Sequence, residues 1–396
     1  MKKFVHPFLY IFSLIACCIE VDISVPSFPS LVEYFYTTES LAQHTISINF
    51  LGFFIGSLIV GPLADAYGRR PVMIAGNAIL MIGALNCVWA STISVLLLAR
   101  LIQGFGASTS AVVVFVMIAD TYKGEKATQL IGLMNCVFTC LMAISPVIGT
   151  YLNEVFGWRG NYAVVALICV ISWIFLAFSL PETLKVKQSV HWGRTLSDFR
   201  CLLRNNSFLQ TSLAPSLLYA SYLSFITSAS FLYMQTFKLS IYLYALHQAF
   251  IVAAFAIVSV FSGVILKHIS SSKCILLGIG LSSLGTLAFL LVGIVSSGVL
   301  MTTITVSLFA VGAALFYPVA FSASLEIFPD IKGTATSLIM SKRAVVVALV
   351  TFITGYSYNG DPTRIALIMT ILTCVAAFTA MSYYRASSKK VAHSSI

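Results

Sequence analysis

Long apolar runs separated by short polar turns recur along the whole chain. About 20 consecutive apolar residues are enough to cross the hydrocarbon core of a bilayer as an α-helix, and the chain supplies twelve such runs. The pattern therefore predicts an all-α membrane protein with twelve transmembrane helices. The predicted spans lie near residues 6–28, 43–64, 71–90, 95–119, 127–151, 161–180, 208–233, 243–266, 274–296, 299–325, 334–356 and 363–384.

Composition agrees with this pattern. Hydrophobic residues make up 59% of the 396 positions and charged residues only 9%, with a mean hydropathy of +0.97. An average soluble domain carries about 25% charged residues. Pro26 and Pro29 stand where a signal peptide would have its small cleavage-site residues, so we expect the first span to be retained. The odd number of cysteines argues against a disulfide framework, and no Cys/His spacing predicts a metal site.

The net charge of +10 is distributed unevenly along the predicted topology. Of the 23 Lys and Arg residues, three lie inside predicted spans and three lie on the side opposite the N-terminus, which leaves 17 on the N-terminal side. This asymmetry follows the positive-inside rule and predicts that both termini are cytoplasmic. The positive charge is thus explained by topology, and nucleic-acid binding is not expected. The three far-side residues are Arg159, Lys238 and Arg364.

Two six-helix halves are indicated by a polar connection at residues 181–207, which has no obvious hydrophobic periodicity. We predict an N-terminal half at 1–180, a cytoplasmic linker at 181–207 and a C-terminal half at 208–396. A sparse repeat supports the division: an offset of 202 places Gly76 on Gly278, and an offset of 206 places Gly106 on Gly312. Such an arrangement favours a site between the halves near the midplane.

Two carboxylic acids, Glu20 and Asp22, lie inside the first predicted span. A carboxylate at membrane depth is costly unless it faces water, is paired or is protonated. Asp22 lies at the same depth as Arg100 in span four, so the two could pair. Glu20 is about 200° around the helix from Asp22, so one acid is expected to exchange a proton while the other pairs or binds substrate. The sequence leaves open which does which, or whether both are ordinary polar groups in a wet vestibule.

The turn between spans two and three reads GPLADAYGRRP over residues 61–71. Asp65 is expected to accept hydrogen bonds from N–H groups at the start of a neighbouring helix, where the dipole favours an anion. Arg69 could bridge Asp65 to Asp120 at the end of span four. Positive-inside charge alone would explain Arg70 but leaves Asp65 and the two glycines, Gly61 and Gly68, unexplained.

These stretches resemble a known family of transporters. The 61–71 turn resembles the G-x-L-a-D-x-x-G-r-R signature of the major facilitator superfamily, and residues 96–107 resemble its fourth-span motif. Residues 22–29 (DISVPSFP) and 145–150 (SPVIGT), the latter followed by Gly-Trp-Arg, resemble motifs of the Bcr/CflA branch of drug:proton antiporters. The chain departs from that branch at Thr150, which replaces the second glycine of the fifth-span motif, and at Glu20, which has no counterpart in the branch pattern.

The resemblance implies roles for particular residues. It implies that a cluster in the turn latches the two halves in an outward-open state, and that the fifth-span motif serves helix packing. The expected latch residues are Gly61, Asp65, Gly68, Arg69, Arg70 and Asp120, and the expected packing residues are Pro146 and Gly149.

An adjacent basic pair, Lys342 and Arg343, lies about 13 Å deep if span eleven begins near Thr334. Snorkelling to the inner surface would explain one of the two. Alternatively, the pair contacts an anionic or zwitterionic substrate, or a carboxylate of the first half. Polar and aromatic residues at other spans could line the cavity, since apolar walls with a few polar groups suit amphiphilic ligands. These tentative cavity residues are Asn49, Asn135, Tyr222 and Tyr317.

Together these features predict a proton-coupled secondary transporter that exports small amphiphilic molecules or drugs by alternating access, in a bacterial inner membrane. An importer or facilitator of a small metabolite with the same fold is the alternative. Enzymatic motifs such as Gly-x-Ser-x-Gly, His-Glu-x-x-His and phosphate loops do not occur, so an enzyme is not expected. We expect a monomer in the bilayer that binds a small molecule and protons, with no cofactor, the proton gradient supplying the energy.

Overall fold

The computed structural model describes residues 2–122, 125–184, 192–295, 298–328 and 332–394, and every regular element in these ranges is helical. A 3-10 turn, Val25–Ser27, joins α1 to α2, and a π-helical turn, Phe231–Thr236, extends α9. The helices are α1 (Lys2–Asp22), α2 (Phe28–Phe35), α3 (Glu39–Tyr67), α4 (Arg69–Val88), α5 (Ile93–Thr121), α6 (Glu125–Phe156), α7 (Trp158–Ser179), α8 (Trp192–Arg204), α9 (Asn206–Ser230), α10 (Ile241–His268), α11 (Ser271–Val295), α12 (Val299–Glu326), α13 (Lys332–Ser357) and α14 (Pro362–Ser394).

The predicted membrane architecture is confirmed. Within the described ranges, eleven helical stretches are long and apolar enough to cross a membrane. The 32-residue helix α6 covers the predicted span 127–151 and is a further long helix of the bundle. Because consecutive spans run in opposite directions, the two termini share one face of the bundle, here named the termini face; the opposite face is the far face.

Polar caps set where several helices begin, and these caps lie outside the apolar runs. The side chains of Thr38 and Thr92 each accept a hydrogen bond of 3.3 Å from the N–H three residues on. Asn205 caps α9 in the same way at 2.9 Å, and Ser240 caps α10 at 3.4 Å. Each cap satisfies an N–H group that has no partner inside the helix. The helices α3 and α10 therefore start before the spans predicted from hydrophobicity.

The first span is interrupted where the sequence places Pro26. Proline has no N–H to donate to the carbonyl four residues earlier, which is that of Asp22. The α-helix α1 accordingly ends at Asp22, a 3-10 turn follows, and α2 resumes at Phe28. The break leaves Asp22 at the end of a helix in the interior of the bundle, where its side chain is 3% exposed.

Glycines repeat the same helix contact in each half. A methyl group at Gly106 of α5 would collide with the backbone of Gly76 and Leu80 of α4. A methyl group at Gly312 of α12 would collide in the same way with Gly278 and Ser282 of α11. The paired positions obey the offsets of 206 and 202 found in the sequence. The α4–α5 and α11–α12 pairs are thus pseudo-symmetric equivalents, as a fold of two six-helix halves requires.

The two halves meet along α3 and α13 and along α6 and α10. The His44 ring stacks on Phe352 with centroids 4.4 Å apart, near the far face. One turn deeper, the hydroxyls of Ser47 and Thr351 lie 2.8 Å apart. Closer to the termini face, Ser337 of α13 donates a hydrogen bond to the backbone carbonyl of Ser57 in α3. The contact therefore follows α3 from the far face past the midplane.

The connection predicted as a cytoplasmic linker at 181–207, in which no hydrophobic periodicity was found, contains a helix, α8. Leu202 of α8 is fully buried and Phe199 is partly buried, in a cluster with Phe208 of α9 and Leu338 of α13. The polar composition of the segment hid this three-residue apolar spacing, which is the period of one helix face.

Candidate functional site

A buried ion pair lies in the middle of the first half. Arg100 of α5 is 0% exposed and Glu20 of α1 is 1% exposed. The Arg100 Nη1 atom lies 3.1 Å from Glu20 Oε2 and donates a second hydrogen bond of 3.0 Å to the backbone carbonyl of Glu20. In an apolar surrounding, each charge is tolerable because the other is present. The pair joins α1 to α5.

Two amides complete the acid–arginine cluster, which we define as Glu20, Asn49, Arg100 and Gln103. Asn49 Nδ2 lies 3.1 and 3.0 Å from the two carboxylate oxygens of Glu20. Gln103 Oε1 accepts a hydrogen bond of 2.8 Å from Arg100 Nη1. Gly104 allows α3 to approach closely, since a Cβ there would collide with the backbone carbonyl of Asn49. Asn49, predicted as a cavity residue, is thus a direct partner of the acid.

Asp22 lies outside this cluster, and the predicted Asp22–Arg100 pair is wrong. Among the described residues, the carboxylate that pairs with Arg100 is Glu20, and Asp22 Oδ1 has no hydrogen-bond partner. The reason is angular: two residues along α1 turn the side chain by about 200°, so that only one acid can face α5. Asp22 is within electrostatic range of Arg100 but forms no ion pair with it among the described residues. It is also within electrostatic range of Tyr219 and Tyr222 of α9.

The turn between α3 and α4 forms the predicted bridge. Arg69 Nη1 lies 2.5 Å from Asp65 Oδ1, and Arg69 Nε lies 3.0 Å from Asp120 Oδ2 of α5. The Arg69 side chain is 7% exposed, whereas that of Asp65 is half exposed. Gly61, one turn before Asp65, has Ser337 of α13 as its neighbour across the halves. The bridge itself lies within the first half and ties α3, α4 and α5 together.

Glu182 closes the start of α4, a role that the sequence did not reveal. Its two oxygens accept hydrogen bonds from the backbone N–H groups of Arg69, at 3.0 Å, and Arg70, at 3.2 Å. Gly68 makes room for this carboxylate and has a φ of 111°, which side chains rarely adopt. Arg70 donates to the Ala177 carbonyl at 2.9 Å. At α4, the acceptor of the first N–H groups is Glu182. The expected acceptor role of Asp65 at a neighbouring helix stays a prediction.

The fifth-span motif lies where α6 passes α1. A Cβ at Gly149 would collide with the backbone carbonyl of Ile23, the residue after α1, so this glycine allows α6 to lie against the end of α1. Pro146 lies inside α6, and the hydroxyl of Thr150 donates a hydrogen bond of 2.9 Å to the carbonyl of Pro146. Thr150 is therefore satisfied within its own helix. The side chain of Asn135, another predicted cavity residue, lies outside the described residues.

The basic pair of α13 separates into two environments. Lys342 Nζ donates to the Ser212 hydroxyl and lies 3.5 Å from the Leu209 carbonyl and 5.8 Å from the centre of the Phe208 ring. All three partners belong to the first turns of α9, on the side of the termini face. The side chain is thus drawn toward that face, as snorkelling predicts.

Arg343 points to aromatic residues instead. It is 8% exposed, donates a hydrogen bond of 2.7 Å to the Tyr317 hydroxyl and lies 4.9 Å from the centre of the Tyr219 ring. Tyr219 in turn meets Phe50 of α3 edge-on at 6.3 Å. Tyr222, one turn along α9 from Tyr219, is partly buried. The predicted residues Tyr317 and Arg343 are therefore in direct contact. Tyr219 connects Arg343 to Phe50 of the first half.

Comparison with known proteins assigns the chain to one family. The sequence model described as Major Facilitator Superfamily matches residues 10–351. The chain belongs to the major facilitator superfamily. It is accordingly a multi-pass transporter of the bilayer and not an enzyme.

Curated relatives from this superfamily align over nearly the full chain. An uncharacterized transporter of Rickettsia bellii is 27% identical, covering 90% of each chain. The multidrug resistance protein MdtM of Escherichia coli K12 is 25% identical over 92% of this chain and 90% of its own. A bicyclomycin resistance protein homolog of Haemophilus influenzae is 21% identical over 94% and 93%. The expected likeness to drug:proton antiporters of the superfamily is confirmed.

Solved structures of the superfamily share the fold. The human organic anion transporter MFSD10 superposes with a TM-score of 0.72 at 18% identity, covering 94% of this chain and 98% of its own. A partially occluded inward-open structure of the xylose transporter XylE from E. coli gives a TM-score of 0.74 at 12% identity, covering 97% and 98%. These likenesses show the major facilitator fold.

Three residues of the candidate site were not predicted from the sequence. Gln103 lies three residues after Arg100, a spacing that places both on one helix face, and this signal could have identified it. Glu182 and Tyr219 carry no comparable signal, because their partners are 112 and 124 residues away in the chain. Only folding of the helical bundle brings Glu182 to the turn between α3 and α4, and Tyr219 to Arg343.

Proposed function

We propose that the protein is a proton-coupled secondary transporter that exports small amphiphilic molecules by alternating access. It would lie in a bacterial inner membrane with both termini in the cytoplasm, so that the termini face is the inner one. The resistance proteins among its relatives support export of drug-like molecules. The excess of Lys and Arg on the termini face supports the orientation.

The observation that carries the proposal is the pair of acids buried in different environments. Glu20 is bound by Arg100 and Asn49, whereas Asp22 is 3% exposed and has an oxygen without a partner. An ionisable group inside a membrane bundle that is not tied to a partner is suited to take up and release a proton. We therefore assign proton exchange to Asp22 and a positioning role to the Glu20–Arg100 pair.

Asp22 also lies where the two halves meet. It ends the interrupted helix α1 and interacts electrostatically with Tyr219 and Tyr222 of α9, in the second half. A substrate between the halves would thus be near the proton-binding group. Binding of a cationic substrate group and binding of a proton at Asp22 would then exclude each other, which is the coupling that antiport needs. The Asp65–Arg69–Asp120 bridge would hold one end of the first half rigid as the halves move.

Proton flux tests the proposal. Inside-out vesicles energised to an acidic lumen would receive a panel of antibiotics and amphiphilic dyes, with wild type compared with Asp22→Asn. We expect at least one compound to cause proton efflux from the lumen with wild type and none to do so with the variant. Glu33→Gln, which alters an exposed acid of α2, is the matched control and should behave as wild type.

The alternative is an importer or facilitator of a small metabolite. Thr150, in place of the second glycine of the motif associated with antiport, favours it. If folded, inserted wild type moved no protons with any compound, or Asp22→Asn responded as wild type does, export through Asp22 would be refuted. Uptake of metabolites into vesicles of the opposite orientation would then be the measurement to make.

A further inference from the structure

Arg343 is a nearly buried cation whose charge no described acid balances. The three ion pairs among the described residues involve Arg69 and Arg100, and none involves Arg343. Its hydrogen bond within the described chain goes to the neutral hydroxyl of Tyr317, from Nη1. A guanidinium presents five N–H donors and forms its strongest hydrogen bonds with acidic groups, often two in parallel. Arg343 thus retains donors suited to an anionic group.

Lys342, the adjacent residue, lacks this property. Its ammonium group is held by the Ser212 hydroxyl and the Leu209 carbonyl and lies over the Phe208 ring. Two of its three N–H donors therefore have acceptors in the first turns of α9. Although the two residues are neighbours in sequence, only Arg343 faces residues that lie between the halves.

The surroundings of Arg343 also restrict the rest of a ligand. Tyr219 lies under its guanidinium at 4.9 Å and contacts Phe50 of α3 edge-on. Tyr317 stacks on Phe321 with ring centroids 5.9 Å apart. An aromatic wall beside a guanidinium suits a flat or apolar body that carries an acidic group. Phe50 belongs to α3, so the aromatic wall includes residues of both halves.

We propose that Arg343 binds an acidic group of the transported molecule, and that the substrates of this protein are zwitterionic amphiphiles. The second part rests on the proposed function. An anion bound near Asp22 and a proton on Asp22 stabilise each other, whereas a bound cation and that proton exclude each other. Proton antiport through Asp22 therefore requires that the molecule bound at Arg343 by its acidic group also carries a cationic group.

Binding of a matched pair of dyes tests the proposal. Rhodamine B carries a cationic xanthylium and a carboxylate, and its ethyl ester has the same body without the acid. We expect detergent-purified wild type to bind rhodamine B at least about tenfold more tightly than the ester, the value of one charge-assisted hydrogen bond. Arg343→Gln should bind both equally, by losing affinity for the acid alone, and Arg343→Lys should retain part of the preference.

The preference for acid over ester separates binding from a structural role, since a loosened fold would weaken both dyes together. Arg200→Gln, which alters an exposed arginine of α8, is the control and should keep the wild-type preference. The inference is overturned if folded wild type binds neither dye, binds both alike, or keeps its preference in Arg343→Gln.

Failure of the inference and failure of the proposed function give different results in the proton-flux assay. If the ester moves protons and rhodamine B does not, antiport stands and the acidic contact is wrong. If rhodamine B binds through Arg343 but moves no protons, the contact stands and antiport of zwitterions is refuted.

Discussion

Removing the charge of Glu20 should destabilise the protein more than any exposed substitution. Glu20→Gln keeps the shape of the side chain but leaves the fully buried Arg100 without its counter-ion. The Nε and Nη2 atoms of Arg100 have no hydrogen-bond partner, so the Nη1 contacts carry its compensation. The new amide would also direct an N–H₂ group at Asn49 Nδ2 or at Arg100. Breaking a buried pair by removing one partner costs about 3–5 kcal/mol.

Equilibrium unfolding in mixed micelles, followed by the fluorescence of the four tryptophans, would measure this loss. We expect Glu20→Gln to lower the free energy of unfolding by about 3 kcal/mol or more. The double variant Glu20→Gln/Arg100→Gln should lose less than Glu20→Gln alone, because no unpaired charge then stays buried. Glu33→Gln, which removes an exposed charge, should change it by less than about 0.5 kcal/mol.

A loss no larger than that of the control would refute the reasoning. It would mean that Glu20 is already neutral in the resting protein, so that its charge contributes nothing to hold Arg100. The assignment of proton exchange to Asp22 would then have to be reversed, with Glu20 as the protonated acid.

Two further predictions concern the turn and the helix contacts. Glu182→Ala should lower the free energy of unfolding by about 1 kcal/mol, since it removes the acceptor of the first N–H groups of α4, and Glu182→Asp should recover part of the loss in the same assay. An unchanged stability would contradict the capping role. Gly149→Ala should cost about 1–3 kcal/mol because its methyl group meets the Ile23 carbonyl, whereas Gly280→Ala, at a helical glycine with open space around it, should cost nothing. Equal effects of the two glycine substitutions would show that α1 and α6 do not depend on that close approach.

Short sequence patterns located the charged residues of the site more reliably than they identified the side chains which those residues contact. The bridge of Arg69 to Asp65 and Asp120 was predicted because Asp65 and Arg69 lie in one short turn and Asp120 ends a neighbouring span. The pairing of Arg100 was predicted from depth alone, and depth is the same to within one turn for Glu20 and Asp22. The direction of a side chain around its helix decides such a choice, and it depends on how α1 is rotated against α5.

The basic pair of α13 shows the same limit. Hydropathy located Lys342 and Arg343 inside a span, and snorkelling and substrate contact were both open for either residue. The structure assigns Lys342 to the first turns of α9 and Arg343 to Tyr317 and Tyr219. Adjacent residues of a helix diverge by about 100°, so their surroundings differ although their depth does not.

The sequence by itself determined the membrane class, the number and order of the spans, the family and the residues that bear charge within the bilayer. Those properties follow from the length of apolar runs and from short motifs, which a chain carries before it folds. Only the tertiary structure decided that Glu20 rather than Asp22 pairs with Arg100, that Glu182 caps α4, and that Arg343 faces the aromatic residues between the halves. These depend on the rotation and contact of helices distant in sequence, which packing of the whole bundle fixes.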